Sequence, residues 1–265
     1  MLIRATVVLS LLLATTACTA QPETATTAVA PVTAAASVVA PAASTVIAPD
    51  VATAATTAAA PVVADAALAS AKLPPGPAPV LGTDYFVIDT PERETGSAIS
   101  VVEVFGYSCP HCAHFQPYVD AWKKKQPADV KFSYLPAAFG GVWEAFARAY
   151  YAADAMGVSQ KSHNGIYNAV HVQHRPITNL NDIAALYADY GVDKNVFAST
   201  MQSFPISAKV DAARAQALRW GIDATPTIVV AGRYRLMITR ASNEEGFLRN
   251  VDWFVAKERA ARKGH

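Results

Sequence analysis

The sequence predicts an α/β domain that contains an all-helical insertion. The run Ser100–Phe105 is almost continuously apolar, as expected of a strand that is buried on both faces. From about residue 143 to residue 220 the apolar positions follow a helical period, and a hairpin and a final helix come after that block. The order strand, helix, strand, helices, hairpin, helix is typical of an α/β domain with helices inserted into it.

The first residues of the 265-residue chain have the features of an export signal. A basic start, an apolar run of about ten residues and a set of small residues come before Cys18, and the run is too short to span a bilayer. Ala14–Cys18 resembles a bacterial lipobox, although Thr15 stands where leucine is usual. We therefore expect a signal in residues 1–20, with lipidation of Cys18 or, alternatively, ordinary cleavage near Ala20. Both outcomes place the mature chain in the periplasm, where disulfides persist. If Cys18 is lipidated, the lipid is the only contact with the membrane that we expect.

Residues 19–79 are predicted to form a flexible tether. They are almost entirely Ala, Thr, Val and Pro, and prolines interrupt any helix. A short Ala-rich helix is expected only near 63–72. The net charge of +1 argues against a nucleic-acid partner, and three cysteines are too few for a disulfide scaffold. Residues 80–265 should therefore fold around an ordinary apolar core.

Within that domain, each element is predicted from its period and from the residues that end it. The strands are short apolar or alternating runs, and glycines or prolines separate the helices of the insertion. Ser242 is expected to cap the last helix. The predicted strands are Tyr85–Ile88, Ser100–Phe105, Val130–Leu135, Thr227–Val230 and Tyr234–Ile238; the predicted helices are Ala113–Lys125, Val142–Met156, Ser159–Val172, Asn181–Tyr190, Lys194–Met201, Ile206–Trp220 and Asn243–Arg262.

The motif Cys109-Pro110-His111-Cys112 lies between a buried strand and the start of a helix. Two cysteines at this spacing can close a small disulfide ring. Free N–H groups and the helix dipole favour a thiolate at Cys109, which makes it the better nucleophile. Pro110 suits the first helical turn, and His111 can add a donor or a positive charge near the thiolate. The strand before the motif and the helix after it strengthen the interpretation as a redox pair.

These residues carry a family resemblance. The stretch Val101–Phe115, VVEVFGYSCPHCAHF, resembles the active-site region of the DsbA family of thioredoxin-fold thiol-disulfide oxidoreductases. Trp220–Thr227 matches the family's second motif, and Ile166–Ile177 is similar to the middle of its helical insertion. The resemblance covers about residues 82–255. It implies a thioredoxin-like fold with the insertion between the third strand and the strand that follows a cis-proline, here Thr225-Pro226.

The resemblance also assigns a role to Glu103, which lies in the middle of the apolar strand. A carboxylate is costly there unless it has a task, and it matches the family's buried acid, which accepts a proton from the inner cysteine. An outward-facing residue in solvent is the alternative. Some members carry a lysine partner on the next strand, whereas this chain has Ser133 or Tyr134 nearest that place.

The cysteines and histidines also allow an interpretation as metal ligands. The CPHC motif could be half of a zinc site, but no second such pair exists and the remaining histidines lack a compact ligand spacing, so no metal is expected. His171 and His174 are three apart on a predicted helix and fit a partly exposed face better than a metal pair. Tyr107 and Ser108 are expected to shape the surface that faces a peptide.

The resemblance implies that the protein inserts disulfides into unfolded exported proteins that carry free thiols. A DsbB-like membrane protein would reoxidise it, and no cofactor is needed because the dithiol carries the two electrons. An isomerase or a specialised reductase of the same fold is the first alternative. A redox-inert peptide-binding chaperone is the second, and the intact CPHC and Thr225-Pro226 weigh against it.

Overall fold

A five-stranded mixed sheet organises the domain. The computed structural model describes residues 72–89, 96–239 and 242–263. The sheet order is β1-β5-β4-β2-β3; β2 and β3 are parallel, and the other pairs are antiparallel. The strands are β1 Tyr85–Val87, β2 Ile99–Phe105, β3 Val130–Pro136, β4 Thr227–Val230 and β5 Tyr234–Met237.

The described residues form seven helices, of which five lie between β3 and β4 in the sequence. The predicted α/β fold with a helical insertion at this point is therefore confirmed. The helices are α1 Pro110–Lys123, α2 Gly141–Ala155, α3 Ser159–His171, α4 Leu180–Ala188, α5 Lys194–Met201, α6 Phe204–Arg219 and α7 Glu244–Lys263. In the described part of the chain, no helix is both long enough and apolar enough to cross a membrane.

The strand β2 packs against different helices on its two faces because alternate side chains point in opposite directions. Ile99 and Val101 lie in the core that α1 and α7 cover. Val102 and Val104 belong to the cluster that holds Trp220, at the end of α6. By this alternation Glu103 faces the same side as Val101, beneath the helix that follows the strand.

The insertion has a core of its own, and that core continues to the two cysteines of the CPHC motif. Tyr187 stacks on Phe197 with ring centroids 4.3 Å apart, and both side chains are fully buried. The same cluster includes Phe105, Cys109 and Cys112. The inserted helices therefore form part of the wall behind the cysteine pair.

Two details differ from the sequence-based expectation. The first helix has Pro110 in its first turn, as expected, with Cys109 as its N-cap, but it ends at Lys123 rather than at Lys125. At the last helix the predicted cap Ser242 is wrong: the Asn243 side chain accepts a hydrogen bond from the Gly246 N–H at 2.8 Å, while the Ser242 hydroxyl bonds Thr239. Asparagine and serine are both good caps, so composition alone does not decide between neighbours.

The N-terminal predictions fall largely outside the described residues. This applies to the signal, to lipidation of Cys18 and to most of the tether and its Ala-rich helix. The described part begins at Lys72, and the Arg249 side chain on α7 donates hydrogen bonds to the carbonyl oxygens of Pro75 and Pro77, at 3.3 and 2.8 Å. The last residues of the segment assigned to the tether thus contact the domain.

Candidate functional site

The two cysteines of the CPHC motif lie where β2 ends and α1 begins. Cys109 is the N-cap with extended backbone angles, and its sulfur accepts a hydrogen bond from the Cys112 N–H at 3.3 Å. Both thiols are free. Cys109 keeps 4% of its surface exposed and Cys112 none, so the first sulfur is the one that a reactant can reach.

The surroundings give the two sulfurs opposite proton affinities. The pKa of Cys109 is lowered to about 5, chiefly by its hydrogen bond with Cys112 and also by the Thr225 side chain and the backbone N–H groups of Cys112 and His111. Burial raises the pKa of Cys112 far above its ordinary value, and the hydrogen bond with Cys109 adds to this. At neutral pH the outer sulfur is therefore a thiolate and the inner one a thiol.

A second loop closes over the outer sulfur. The Thr225-Pro226 peptide bond is cis, as predicted, and Pro226 is buried just before β4. The protonated thiol of Cys109 donates to the carbonyl oxygen of Thr225 across 3.5 Å. Residues 116 positions apart in the sequence are thus brought together at one sulfur.

A groove of about 280 Å³ runs beside this contact. Its walls include His111 and His114 from α1, Thr225 and Pro226, and the end of β5. The His114 ring lies 3.3 Å from the Glu244 carboxylate on α7, which closes one side of the groove. The groove therefore lies next to the loop whose Thr225 carbonyl contacts Cys109, with His111 of the CPHC motif in its wall.

Glu103 is buried, as predicted, with none of its surface exposed. Neither carboxylate oxygen has a hydrogen-bond partner among the described residues. Burial raises the pKa of Glu103 to about 8, so the carboxyl is mostly protonated at neutral pH. A neutral acid beneath the cysteine helix can supply or take up a proton there.

Comparisons with known proteins agree with this geometry. A family model described as Thioredoxin matches residues 94–252. The thiol:disulfide interchange protein DsbA of Pseudomonas aeruginosa is 38% identical over 183 residues, which are 69% of this chain and 87% of the relative. The chain belongs to the DsbA family. The thiol:disulfide interchange protein DsbA of Azotobacter vinelandii is 34% identical, and the match covers 68% of this chain and 85% of the relative.

Solved DsbA structures have the same fold. The crystal structure of the Xylella fastidiosa oxidoreductase DsbA covers 69% of this chain and 98% of its own, with 44% identity and a TM-score of 0.64. The crystal structure of Pseudomonas aeruginosa DsbA covers 69% of this chain and 95% of its own chain, with 38% identity and a TM-score of 0.64. The thioredoxin-like fold and the membership among thiol:disulfide oxidoreductases, both expected from the two motifs, are confirmed.

One expected position differs from what the sequence suggested for this DsbA-family chain. Tyr107 does not shape a peptide-facing surface, because it is 1% exposed and its hydroxyl lies 2.9 Å from His163 Nδ1. Its aromatic ring packs edge-on against Phe105 and Tyr167. Tyr107 follows the buried end of β2, and its ring packs in the same core as Phe105. Ser108, the next residue, is partly buried.

Sequence reasoning missed a buried polar chain that joins α1 to the helical insertion. His163 Nε2 lies 3.0 Å from Gln116 Oε1, and the Gln116 amide donates to Asp120 and to the Tyr134 hydroxyl. Since that oxygen must accept, Nε2 of His163 carries the proton and Nδ1 accepts from Tyr107. Burial lowers the pKa of His163 to about 3, so the ring is neutral. A histidine on a mixed-polarity helix gave no signal for this role.

His171 also lies close to the CPHC motif. Its Nε2 is 2.8 Å from the carbonyl oxygen of Tyr107, so it fixes the backbone two residues before Cys109. His174 is exposed and has left-handed backbone angles beyond the end of α3. Within the described ranges, no group of three or more His, Cys, Asp or Glu residues is arranged to hold a metal ion.

Proposed function

We propose that this protein oxidises pairs of thiols in unfolded exported proteins, with Cys109 as the sulfur that substrates attack. The observation that supports this most strongly is the low pKa of Cys109 beside the high pKa of Cys112. A stabilised outer thiolate favours the reduced dithiol, and this makes the Cys109–Cys112 disulfide a strong oxidant.

The exchange proceeds in two displacements. A substrate thiolate attacks Cys109 Sγ and forms a mixed disulfide, and the Cys109–Cys112 bond breaks with its electron pair on Cys112. Glu103 gives its proton to that buried sulfur. A second substrate thiolate then attacks the substrate sulfur of the mixed disulfide, and Cys109 leaves as the stabilised thiolate. The substrate has lost two electrons and two protons, and the protein holds the electrons as a dithiol.

Thr225, Pro226 and the groove beside them are proposed to hold the substrate peptide. The Thr225 backbone lies against Cys109, so an extended peptide that bonds this edge would place its own sulfur beside the target. His111 lines the groove and supplies a backbone N–H to the thiolate, while Pro110 occupies the first helical turn without leaving an N–H unpaired.

We further propose that the protein works in the periplasm, after removal of a signal that ends before Cys18, and that Cys18, then the first residue of the mature chain, carries a lipid anchor. A DsbB-like membrane protein would accept the two electrons and restore the disulfide. The tether would let the domain reach substrates at some distance from the membrane.

The test is oxidation of a reduced peptide that contains two cysteines, with the wild type, Cys109→Ala and Cys112→Ala. The wild type should oxidise the peptide and Cys109→Ala should not. Cys112→Ala, mixed instead with the peptide in its disulfide form, should accumulate a mixed disulfide at Cys109, because Cys109 breaks the peptide disulfide and no inner sulfur remains to displace the peptide. Iodoacetamide should label Cys109 before Cys112 in the reduced wild type. Preferential labelling of Cys112, or no oxidation by the wild type, would refute the proposal.

A further inference from the structure

Glu103 has no hydrogen-bond partner among the described residues, but charged groups act on it. On β3 its register partner is Tyr134, and side chains of paired positions in parallel strands point to the same face. The charge that opposes the effect of burial is Lys123, whose field lowers the pKa of Glu103. This lysine comes from the last turn of α1, the same helix that begins at the cysteine pair.

Lys123 is held firmly in place for a lysine near the surface. Its Nζ lies 2.9 Å from the Tyr134 hydroxyl and 2.8 Å from Asp120 Oδ1, and only 29% of its side chain is exposed. The ammonium also lies 5.2 Å from the centre of the Phe132 ring. Tyr134 already accepts a second bond from Gln116, so its own hydrogen remains to be donated.

A cavity of about 670 Å³ adjoins these residues, between β3, α1, α2 and α3. Lys123, Tyr134 and His163 line its inner end. Lys124 and Gln160 at its rim are exposed, so water can enter from outside. The cavity thus reaches from solvent to Tyr134, the register partner of Glu103 on the next strand.

We propose that Lys123, held by Tyr134 and Asp120, is the positive partner of Glu103 during proton exchange with Cys112, and that this cavity carries the proton between Glu103 and water. The inference rests on the proposed function, since it concerns the proton that the second cysteine gains and loses. It assigns to a lysine of α1 the role that some members of the family give to a lysine on the next strand, where this chain has Ser133 and Tyr134.

The proton balance follows from the direction of the reaction. When a substrate attacks the disulfide, Cys112 leaves with an electron pair and takes the Glu103 proton; the carboxylate regains one from water in the cavity. When the dithiol is reoxidised, the Glu103 carboxylate removes the Cys112 proton as that sulfur attacks Cys109 and displaces the oxidant's sulfur. Lys123 stabilises the carboxylate in both directions and therefore acts through Glu103, as a positioning residue.

Other ionisable groups also act on Glu103 or lie close to it. Asp120 on α1 and the Cys109 thiolate raise its pKa, against the effect of Lys123. Burial raises the pKa values of Tyr134 on β3 and Tyr167 on α3, and Glu103 adds to this, so both phenols stay neutral. His163 on α3 is neutral as well. Of the described groups named here that act on the Glu103 carboxyl, Lys123 is the positively charged one.

The experiment follows ring closure in a single turnover. Glutathione is attached to Cys109 at pH 4, the protein is moved to a series of pH values from 5 to 10, and released glutathione is measured after acid quenching. In Lys123→Met the pH at which closure reaches half its maximal rate should rise by about one unit, because the carboxylate loses its cation. Lys123→Arg should restore the wild-type midpoint, and Tyr134→Phe should shift it upward by less.

Lys125→Met is the matched control, since Lys125 is an exposed lysine at the same end of the helix and does not line the cavity. It should leave the midpoint unchanged. An unchanged midpoint in Lys123→Met and Tyr134→Phe, with normal closure in the wild type, would overturn this inference and leave the proposed function intact. Failure of the wild type to close the ring at any pH would overturn the proposed function itself.

Discussion

At the scale of single residues, the thiolate at Cys109 makes the stability of the reduced protein depend on pH. Folding lowers the pKa of this sulfur from about 8.5 in an unfolded chain to about 5. Between these values the unfolded state binds more protons at Cys109 than the folded state does. The stabilisation is fully present above the unfolded pKa and is lost as the pH falls through 5.

We therefore predict that the reduced form gains stability over the oxidised form by about 1.4 kcal/mol for each pH unit between 5 and 8. At pH 7 the reduced form should be the more stable one. Urea unfolding of both forms at several pH values measures the difference. Glu103 has the opposite dependence: its stabilisation is present below pH 4.5 and is lost as the pH rises to about 8.

Burial is the main cause of the raised pKa of Glu103 and acts in both redox forms, so the comparison between them reports chiefly on Cys109, with a smaller part from the effect of the thiolate on Glu103. A free-energy difference that stays constant from pH 5 to pH 8 would show that the thiolate is not stabilised by folding. A more stable oxidised form at pH 7 would favour a reductase over an oxidase.

His163 gives a second prediction at this scale. In His163→Ala the buried Tyr107 hydroxyl and Gln116 carbonyl oxygen lose their partner, and a cavity is left. We expect a loss of about 3 to 5 kcal/mol in the free energy of unfolding, measured in urea. Asn164→Ala, at the exposed next position with one bond to Asp120, should cost less than about 1 kcal/mol. Equal losses of unfolding free energy in His163→Ala and Asn164→Ala would show that the buried hydrogen bonds of His163 do not stabilise the fold.

Single residues also show where sequence reasoning reaches its limit. Cys109, Pro226 and Glu103 could be found because each breaks a local pattern: a cysteine pair at a helix start, a proline before a strand, an acid inside an apolar strand. His163 and Gln116 break no such pattern, since polar residues are ordinary on helices. Their importance depends on which helices pack together, and this is a property of the tertiary fold.

At the scale of elements, the end of β2 and the start of α2 pack so closely that a side chain does not fit between them. A Cβ at Gly106 would overlap the Trp143 ring. Gly106→Ala should therefore destabilise the protein by about 1 to 3 kcal/mol, since core overpacking costs this much. In a Trp143→Ala background the same substitution should cost close to nothing, and thermal unfolding of the four variants would measure this coupling.

If Gly106→Ala costs the same in both backgrounds, the contact with Trp143 is not the reason for the glycine. Backbone conformation does not explain it either, because Gly106 is not among the glycines with positive φ.

Elements were predictable in kind but less so at their ends. Lys194–Met201 and Thr227–Val230 agree with the prediction at both ends, because turn-forming residues flank them. The last helix instead begins after Asn243, where two adjacent residues could both cap it and only the packed loop selects one.

At the scale of the whole molecule, we predict that the N-terminal segment is dispensable for the chemistry. A chain that starts at residue 72 should oxidise peptides at the rate of the full-length protein, because the site and its groove lie within residues 103–244. A chain that starts at residue 80 should keep that rate but lose about 1 kcal/mol of stability, since Arg249 loses the carbonyl oxygens of Pro75 and Pro77.

Peptide-oxidation assays and urea unfolding of both truncated chains make this comparison. A large loss of rate in the shorter chain would show that residues 72–79 help to form the site rather than only support α7.

The position of the insertion has a consequence for how the chain folds. The register pair Val101 and Val230 brings neighbouring strands together across the whole set of inserted helices. Such pairing has a high contact order, which slows folding. The insertion is one contiguous segment whose helices contact one another, so it can fold before β4 docks, whereas the loop that contacts Cys109 is completed only when β4 docks. The cysteines would then spend the longest part of folding without Thr225 and Pro226 beside them, open to reaction with whatever disulfides are present. A protein of this topology is therefore most exposed to incorrect thiol exchange while it is still folding, before its own redox site exists.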